Sequence, residues 1–199
     1  LPRLVLASRN KGKLREIKEL LADLSFELVG LDQFSGLPEI NETGESFAAN
    51  ALLKARIIGD FIGEPTLADD SGLEVAALNG EPGIYSARYG QPGWSDRQRY
   101  EFLLQKLAGL PFDQRTARFR STAVFYDPAT GQTELTEGEV TGVIVAQPKG
   151  VNGFGYDPVF FLPELGKTMA ELPELEKNRI SHRARAIIKI KPILAVFYR

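Results

Sequence analysis

Charge at the end of a buried strand is the feature of this sequence that most restricts its fold. The apolar lead Pro65-Thr66-Leu67-Ala68 runs into Asp69, Asp70, Ser71 and Gly72, and Leu73-Glu74-Val75 then resumes the apolar pattern. Buried carboxylates are costly unless they are paired or ligated, so this strand must meet solvent, countercharge or a ligand where the acids begin. Side chains alternate along an extended segment, which sends Asp69 and Asp70 to opposite faces and to different tasks. Gly72 frees the backbone to turn. Acids at the carboxyl end of a strand, beside a tight turn, suit magnesium held through oxygen ligands and a polarised water. A solvated Asp-Ser-Gly turn between two strands is the competing reading.

The other elements have to build a core around that strand. With 199 residues, the chain is long enough for one substantial core, read here as a single domain over residues 1–199 that can divide into two lobes. Lys and Arg number 24 against 26 Asp and Glu, a net charge of −2, and this balance gives no reason to expect nucleic acid or an anionic membrane as a partner. The absence of cysteine removes disulfides, thiolate metal sites and a cysteine nucleophile, and fits a reducing cytoplasm. Apolar runs such as Pro158 to Pro163 are too short to span a bilayer, and the opening residues read as strand and helix, without a signal peptide.

Leu4-Val5-Leu6-Ala7 followed by Leu14, Ile17, Leu20, Leu21 and Leu24 at helical spacing predicts strand, polar turn and helix. The turn, Ser8-Arg9-Asn10-Lys11-Gly12-Lys13, directs backbone N–H groups and a positive dipole end above the strand, a natural seat for phosphate. Simple capping by Ser8 or Asn10 with solvated lysines is the alternative. The Gly-x-x-x-x-Gly-Lys-[Ser/Thr] pattern is absent, which argues against P-loop machinery. After a second strand at Phe26 to Leu31, a loop carries Glu42 and Thr43-Gly44 into a helix with Phe47, Ala51, Ala55 and Ile58 on one face. Asn50 and Lys54, four apart, share another face, so a carboxylate, an amide and an ammonium can converge.

Ile84 to Tyr89 reads as extended, with Arg88 a second phosphate candidate. Ser95-Asp96-Arg97-Gln98 resembles a capping box and opens a helix through Leu103, Leu104 and Leu107. Arg118 to Tyr126 and Thr133 to Val145 predict a long antiparallel hairpin, so the sheet is mixed. In Gly153-Phe154-Gly155-Tyr156-Asp157-Pro158 an aromatic flanked by glycines can lie flat against a purine, with Asp157 at its polar edge. A turn with Phe154 tucked into the core is the other reading. Ser181 can cap a last helix carrying His182 and Arg183, and His182 is the only histidine, which excludes a histidine metal cluster.

Taken in order, Ser8-x-Asn10-x-x-Lys13, Glu42-Thr43-Gly44-Glu45-Ser46-Phe47 with Asn50 and Lys54, Ala68-Asp69-Asp70-Ser71-Gly72, Pro82 to Tyr89, Gly153 to Pro158 and Ser181-His182-Arg183 resemble the inosine triphosphate pyrophosphatase family. The resemblance runs from about Leu4 to about Ile188. It implies an α/β protein with a long mixed, twisted sheet flanked by helices, two lobes and a central cleft, working as a homodimer in the cytoplasm. The implied reaction is magnesium-dependent hydrolysis of ITP, dITP and XTP to the monophosphate and pyrophosphate. Carried over by position, Ser8, Arg9, Asn10, Lys11, Gly12 and Lys13 hold phosphate, Glu42 and Asp70 bind Mg2+, and Asp70 accepts the proton. Ser71, Phe154, Gly155, Tyr156, Asp157, Lys177, His182 and Arg183 then contact the nucleotide.

The residue chemistry adds Lys54 and Arg88 as charge partners and leaves Asp69 beside Asp70 as a second candidate base. Arg183 only donates, so it fits the six-oxo group of hypoxanthine or xanthine and not the amino group of adenine. Ala76, Ala184 and Gln91-Pro92-Gly93-Trp94 depart from the family pattern. A purine-nucleotide sensor without turnover and a Maf-type nucleotide pyrophosphatase are the alternatives; Glu42 and Asp70 argue against the first, and Phe154 with Ser181-His182-Arg183 against the second.

Overall fold

The computed structural model describes residues 1–199. Seven strands form one mixed sheet in the order β2-β1-β3-β4-β5-β6-β7. They are β1 (Arg3–Leu6), β2 (Glu27–Gly30), β3 (Thr66–Val75), β4 (Thr116–Tyr126), β5 (Thr133–Ile144), β6 (Phe160–Leu162) and β7 (Lys167–Thr168). The helices are α1 (Lys11–Leu20), α2 (Phe47–Ile62), α3 (Asp96–Lys106), α4 (Glu174–Ile180) and α5 (His182–Phe197). Strand β1 pairs in parallel with β2 and β3, whereas β6 pairs antiparallel with β5 and β7. The expected mixed α/β architecture is therefore present. The chain divides into two compact units, one of residues 1–70, 121–138 and 182–199, the other of residues 71–120 and 139–181.

In the first unit β1, β3 and the end of β4 bury both faces, which explains their near-continuous apolar runs. Leu4, Leu6, Leu67 and Phe125 pack with Ile17 of α1 and Ile187 and Ile190 of α5. Val5, Ala68 and Val124 pack instead with Ala51, Ala55 and Ile58 of α2. Alternation along β3 thus assigns its odd positions to the α1 and α5 side and its even positions to the α2 side. Helix α1 starts where the Asn10 side chain accepts the Lys13 N–H at 3.1 Å, and α2 starts where Ser46 accepts the Ala49 N–H at 3.1 Å. Helix α2 stops at Gly63, whose φ of 76° is open to glycine at little cost. Gly138 in β5 lies so close to α5 that a Cβ there would meet the His182 carbonyl oxygen and come within 2.5 Å of the Ala186 nitrogen.

The second unit packs Leu73, Leu103, Leu107, Phe119, Ile144, Phe160 and Met169 into its own core. Ser95 and Gln98 complete the expected capping box of α3. The Trp94 ring lies over Gly90, where a Cβ would collide with it, and stands edge-on to Phe102 at 5.5 Å, so the unusual lead into α3 is a folded aromatic clasp.

One expectation needs correction. The segment expected to be extended from Ile84 to Tyr89 is a 3₁₀ helix over Gly83–Arg88. Its cause is Ser86, whose hydroxyl turns back to donate to the Gly83 carbonyl at 2.6 Å and accepts the Leu73 N–H at 2.9 Å, a local bond that competes with strand geometry. Ser181, expected to cap α5, directly precedes that helix in extended conformation and also closes α4, donating its N–H to the Lys177 carbonyl at 2.9 Å.

Candidate active site

The acidic pair at the end of β3 separates as the alternation requires. Asp70, at an even position, faces α2: Lys54 Nζ donates to Asp70 Oδ1 at 2.8 Å and to Glu42 Oε1 at 2.8 Å. All three come from the first unit, and Asp70 and Lys54 are buried. The loop bearing Glu42 is fixed by Asn50, whose Oδ1 accepts the Gly44 N–H at 2.8 Å. A Cβ on residue 44 would approach that oxygen to 2.6 Å, which is why the loop carries glycine there. The expected convergence of Glu42, Asn50 and Lys54 is thus built by one helix face and one pinned loop.

Asp70 Oδ2 and Asn50 Nδ2 are buried without a hydrogen-bond partner. Such orphaned atoms are uncommon in native interiors and call for an explanation. A divalent cation fits the Asp70 oxygen: two carboxylates already approach one positive centre at Lys54, and one oxygen is left over. Mg2+ keeps several waters and takes phosphate oxygens to complete its shell, so it needs few protein carboxylates. Burial pushes the Asp70 carboxyl above its ordinary range, and Lys54 only partly opposes this.

Asp69 faces the other way, among charges. Its Oδ1 lies 2.6 Å from Lys13 Nζ, its Oδ2 lies 3.4 Å from Arg183 Nε, and Ser121 Oγ donates to Oδ2 at 3.0 Å. Burial alone would raise its pKa, but the Lys13 ammonium and Arg183 guanidinium overcome that effect and hold the carboxyl well below the usual range. A carboxylate so strongly held is a weak proton acceptor.

Among the remaining candidates of the first unit, Arg9, Asn10 and Lys11 are exposed and Ser8 and Gly12 half-buried at the start of α1. Asn10 donates its N–H to Ser8 Oγ at 3.2 Å. Asn10 caps the helix, as the simpler reading expects, but Lys13 is not solvated as that reading requires, since it pairs with Asp69. His182 opens α5 and is buried. Arg183, expected at the six-oxo group of a base, is buried with its guanidinium beside Glu16 and Asp69.

In the second unit, Phe154 sits between Gly153 at φ 75° and Gly155 at φ 64°. Its N–H donates to Asp157 Oδ2 at 3.0 Å, the same oxygen that accepts Lys177 Nζ at 2.6 Å. The ammonium also lies 4.8 Å from the Phe154 ring centroid, a cation–π contact that fixes the ring. Asp157, expected at the polar edge of a base, is thus buried beneath the loop with Lys177 as its partner. Gly155 donates its N–H to Asp96 Oδ2 at 2.8 Å, and the buried Tyr156 hydroxyl donates to the Ser86 carbonyl at 2.8 Å. Ser71 is half-buried. Arg88 is exposed and its guanidinium lies 5.1 Å from the Tyr85 ring centroid.

The first unit thus carries two carboxylates on a lysine and an exposed glycine-containing turn at a helix start, and the second a fixed ring between glycines. A sequence model of the Ham1 family matches residues 4–193. The chain belongs to the Ham1 family. It is 50% identical over 95% of its length to a dITP/XTP pyrophosphatase of Geobacter sulfurreducens, covering 94% of that protein. A dITP/XTP pyrophosphatase of Listeria monocytogenes is 47% identical over 97% of the chain and 95% of its own. Among solved structures, a HAM1 protein from Coxiella burnetii superposes with a TM-score of 0.89 at 40% identity, over 98% of this chain and 100% of that one. The Ham1 protein of Staphylococcus aureus gives 0.86 at 40% identity, over 98% and 99%.

Sequence reading missed one member of the buried charge group around Asp69. Glu16, buried on α1, sits beside Ile17 on the apolar side of an otherwise solvated helix, and an acid in that register was the available signal. No helix is long and apolar enough to cross a membrane.

Proposed function

We propose that this chain hydrolyses ITP, dITP and XTP between the α- and β-phosphorus atoms, giving the nucleoside monophosphate and pyrophosphate, with Mg2+ as cofactor. The observation that carries the reading is the Glu42, Lys54 and Asp70 cluster with its unpartnered Asp70 Oδ2, in a chain whose close relatives bear the name dITP/XTP pyrophosphatase.

In this reading the turn at the start of α1 takes the triphosphate through the Lys13 ammonium and through N–H groups other than those of Ser8, Asn10 and Lys13, which already donate within the chain. Glu42 and Asp70 would hold the metal, which when bound neutralises charge on the phosphates and lowers the pKa of a ligated water. Asp70 orients the attacking water and accepts its proton as the new oxygen–phosphorus bond forms and the bond to the bridging oxygen breaks. Asp69 is already held by Lys13 and Arg183, which leaves Asp70, with its unpartnered Oδ2, as the acid free to act as base, whereas Asp69 positions Lys13. Phe154 offers a fixed ring to a purine face, and Lys177 and Asp157 set its orientation. The same resemblance supports a cytoplasmic homodimer.

Pyrophosphate release from ITP, dITP, XTP, GTP and ATP, measured with magnesium and with chelator, tests the assignment. Fast release from the first three, abolished by chelator, is the expected result. Binding without release would make the protein a sensor, and preference for pyrimidine nucleotides would favour Maf-type chemistry. Sedimentation analysis reads the oligomeric state.

A further inference from the structure

The phosphate turn and the buried acid Asp69 are joined by a closed loop of charge that begins and ends on one helix. Glu16 and Lys13 are three residues apart on α1, hence on one face. Glu16 pairs with Arg183 of α5, Arg183 Nε lies 3.4 Å from Asp69 Oδ2, and Asp69 Oδ1 lies 2.6 Å from Lys13 Nζ. The series Glu16, Arg183, Asp69, Lys13 alternates in sign and sums to zero. A buried charge that loses its partner is strongly destabilised and seeks another.

We propose that Glu16 is a positioning residue for the phosphate-binding lysine, acting through Arg183 and Asp69. Asp69 is shared between two cations, and the share left to Lys13 depends on what else satisfies Arg183. Glu16 is one such acceptor, and a charged one. Without its charge, Arg183 draws Asp69 to itself and the Lys13 ammonium loses the partner that aims it. The ammonium has little to replace that partner, since burial already weighs against its charged form. This inference rests on the reading that Lys13 binds phosphate.

The test is a double-mutant cycle read by calorimetric binding of inorganic pyrophosphate and, separately, of free inosine to the full chain in magnesium. Glu16→Gln should weaken pyrophosphate binding by about ten-fold, the scale of one charge-assisted contact, and leave inosine binding unchanged. Glu16→Gln combined with Arg183→Gln should recover to within about three-fold of the parent, because Asp69 then returns to Lys13 alone. A Glu16→Gln variant that binds pyrophosphate normally, or a double variant no better than the single, overturns the inference while Lys13→Ala still weakens pyrophosphate. If Lys13→Ala has no effect, the phosphate reading of Lys13 falls and the role of Glu16 with it. Should Glu16→Gln alone fail to fold, the double variant, which leaves no lone buried charge, decides: near-parent affinity supports the inference and a ten-fold loss overturns it.

Discussion

The two units build their candidate residues from different materials. In the first, five buried or nearly buried charges, Lys13, Glu16, Asp69, Asp70 and Arg183, are placed by one another and by Lys54. In the second, an aromatic ring is placed by two glycines, one carboxylate and one ammonium. Charge is long-ranged in a poorly screened interior, so in the first unit removing any member disturbs several others. Stacking is short-ranged and forgiving of base identity, so in the second unit a loss stays local. Phosphate chemistry needs the first kind of construction, and holding a planar base needs only the second.

The sharpest way to break this contrast is at the acid that faces α2. Asp70→Asn should lower kcat by about 10²–10⁴-fold, the usual worth of a positioned proton acceptor, with nucleotide binding retained because an amide still hydrogen-bonds. If Asp69→Asn rather than Asp70→Asn removes turnover at unchanged nucleotide affinity, the assignment of roles reverses.

Next in size is a stability effect confined to the other acid. Asp69→Asn should destabilise the fold by about 3–5 kcal/mol, the cost of breaking a buried ion pair from one side, as read by denaturant unfolding at neutral pH. The sign with pH follows from its depressed folded-state pKa. The contribution is fully present above the ordinary carboxylate range and is lost as pH falls below it. The gap between parent and variant should therefore narrow on acidification, and a constant gap would mean that Asp69 is not held as an ion in the fold.

The second unit should lose less, and uniformly. Phe154→Ala should weaken inosine and ITP by the same factor, equivalent to about 1–3 kcal/mol for a base on an aromatic ring, whereas Lys13→Ala should spare inosine. Parallel losses for both variants on both ligands would erase the division of labour. Smallest is Ser95→Ala, which removes the α3 cap and should cost about 1 kcal/mol of stability without changing KM for ITP.

Much of this was legible from local rules. The period-two alternation of β3 separated Asp69 from Asp70, and the four-residue spacing of Asn50 and Lys54 put them on one side of α2. The capping box at Ser95 could be read directly. What escaped depends on contacts far apart in the chain or on side chains overriding the backbone. Glu16 meets Arg183 across 167 positions, and no window of sequence links them. The 3₁₀ turn at Gly83–Arg88 comes from one serine hydroxyl choosing a nearby carbonyl. The countercharges of Asp157 and Arg183 likewise come from other elements, Lys177 and Glu16, and no local pattern announces them.

Gly138 gives this arrangement a vulnerability that no inventory of polar groups reveals. Strand β5 carries none of the candidate residues, yet it touches the first turn of α5 so closely that hydrogen is the only side chain the space admits. A single methyl there would lever the start of α5 outward, and Arg183 with it, loosening a charge circuit that residue 138 never touches. A mutational scan scored on activity should therefore rank this position among the acids and lysines. In such a scan the most informative residue of the strand is the one whose contribution is empty space.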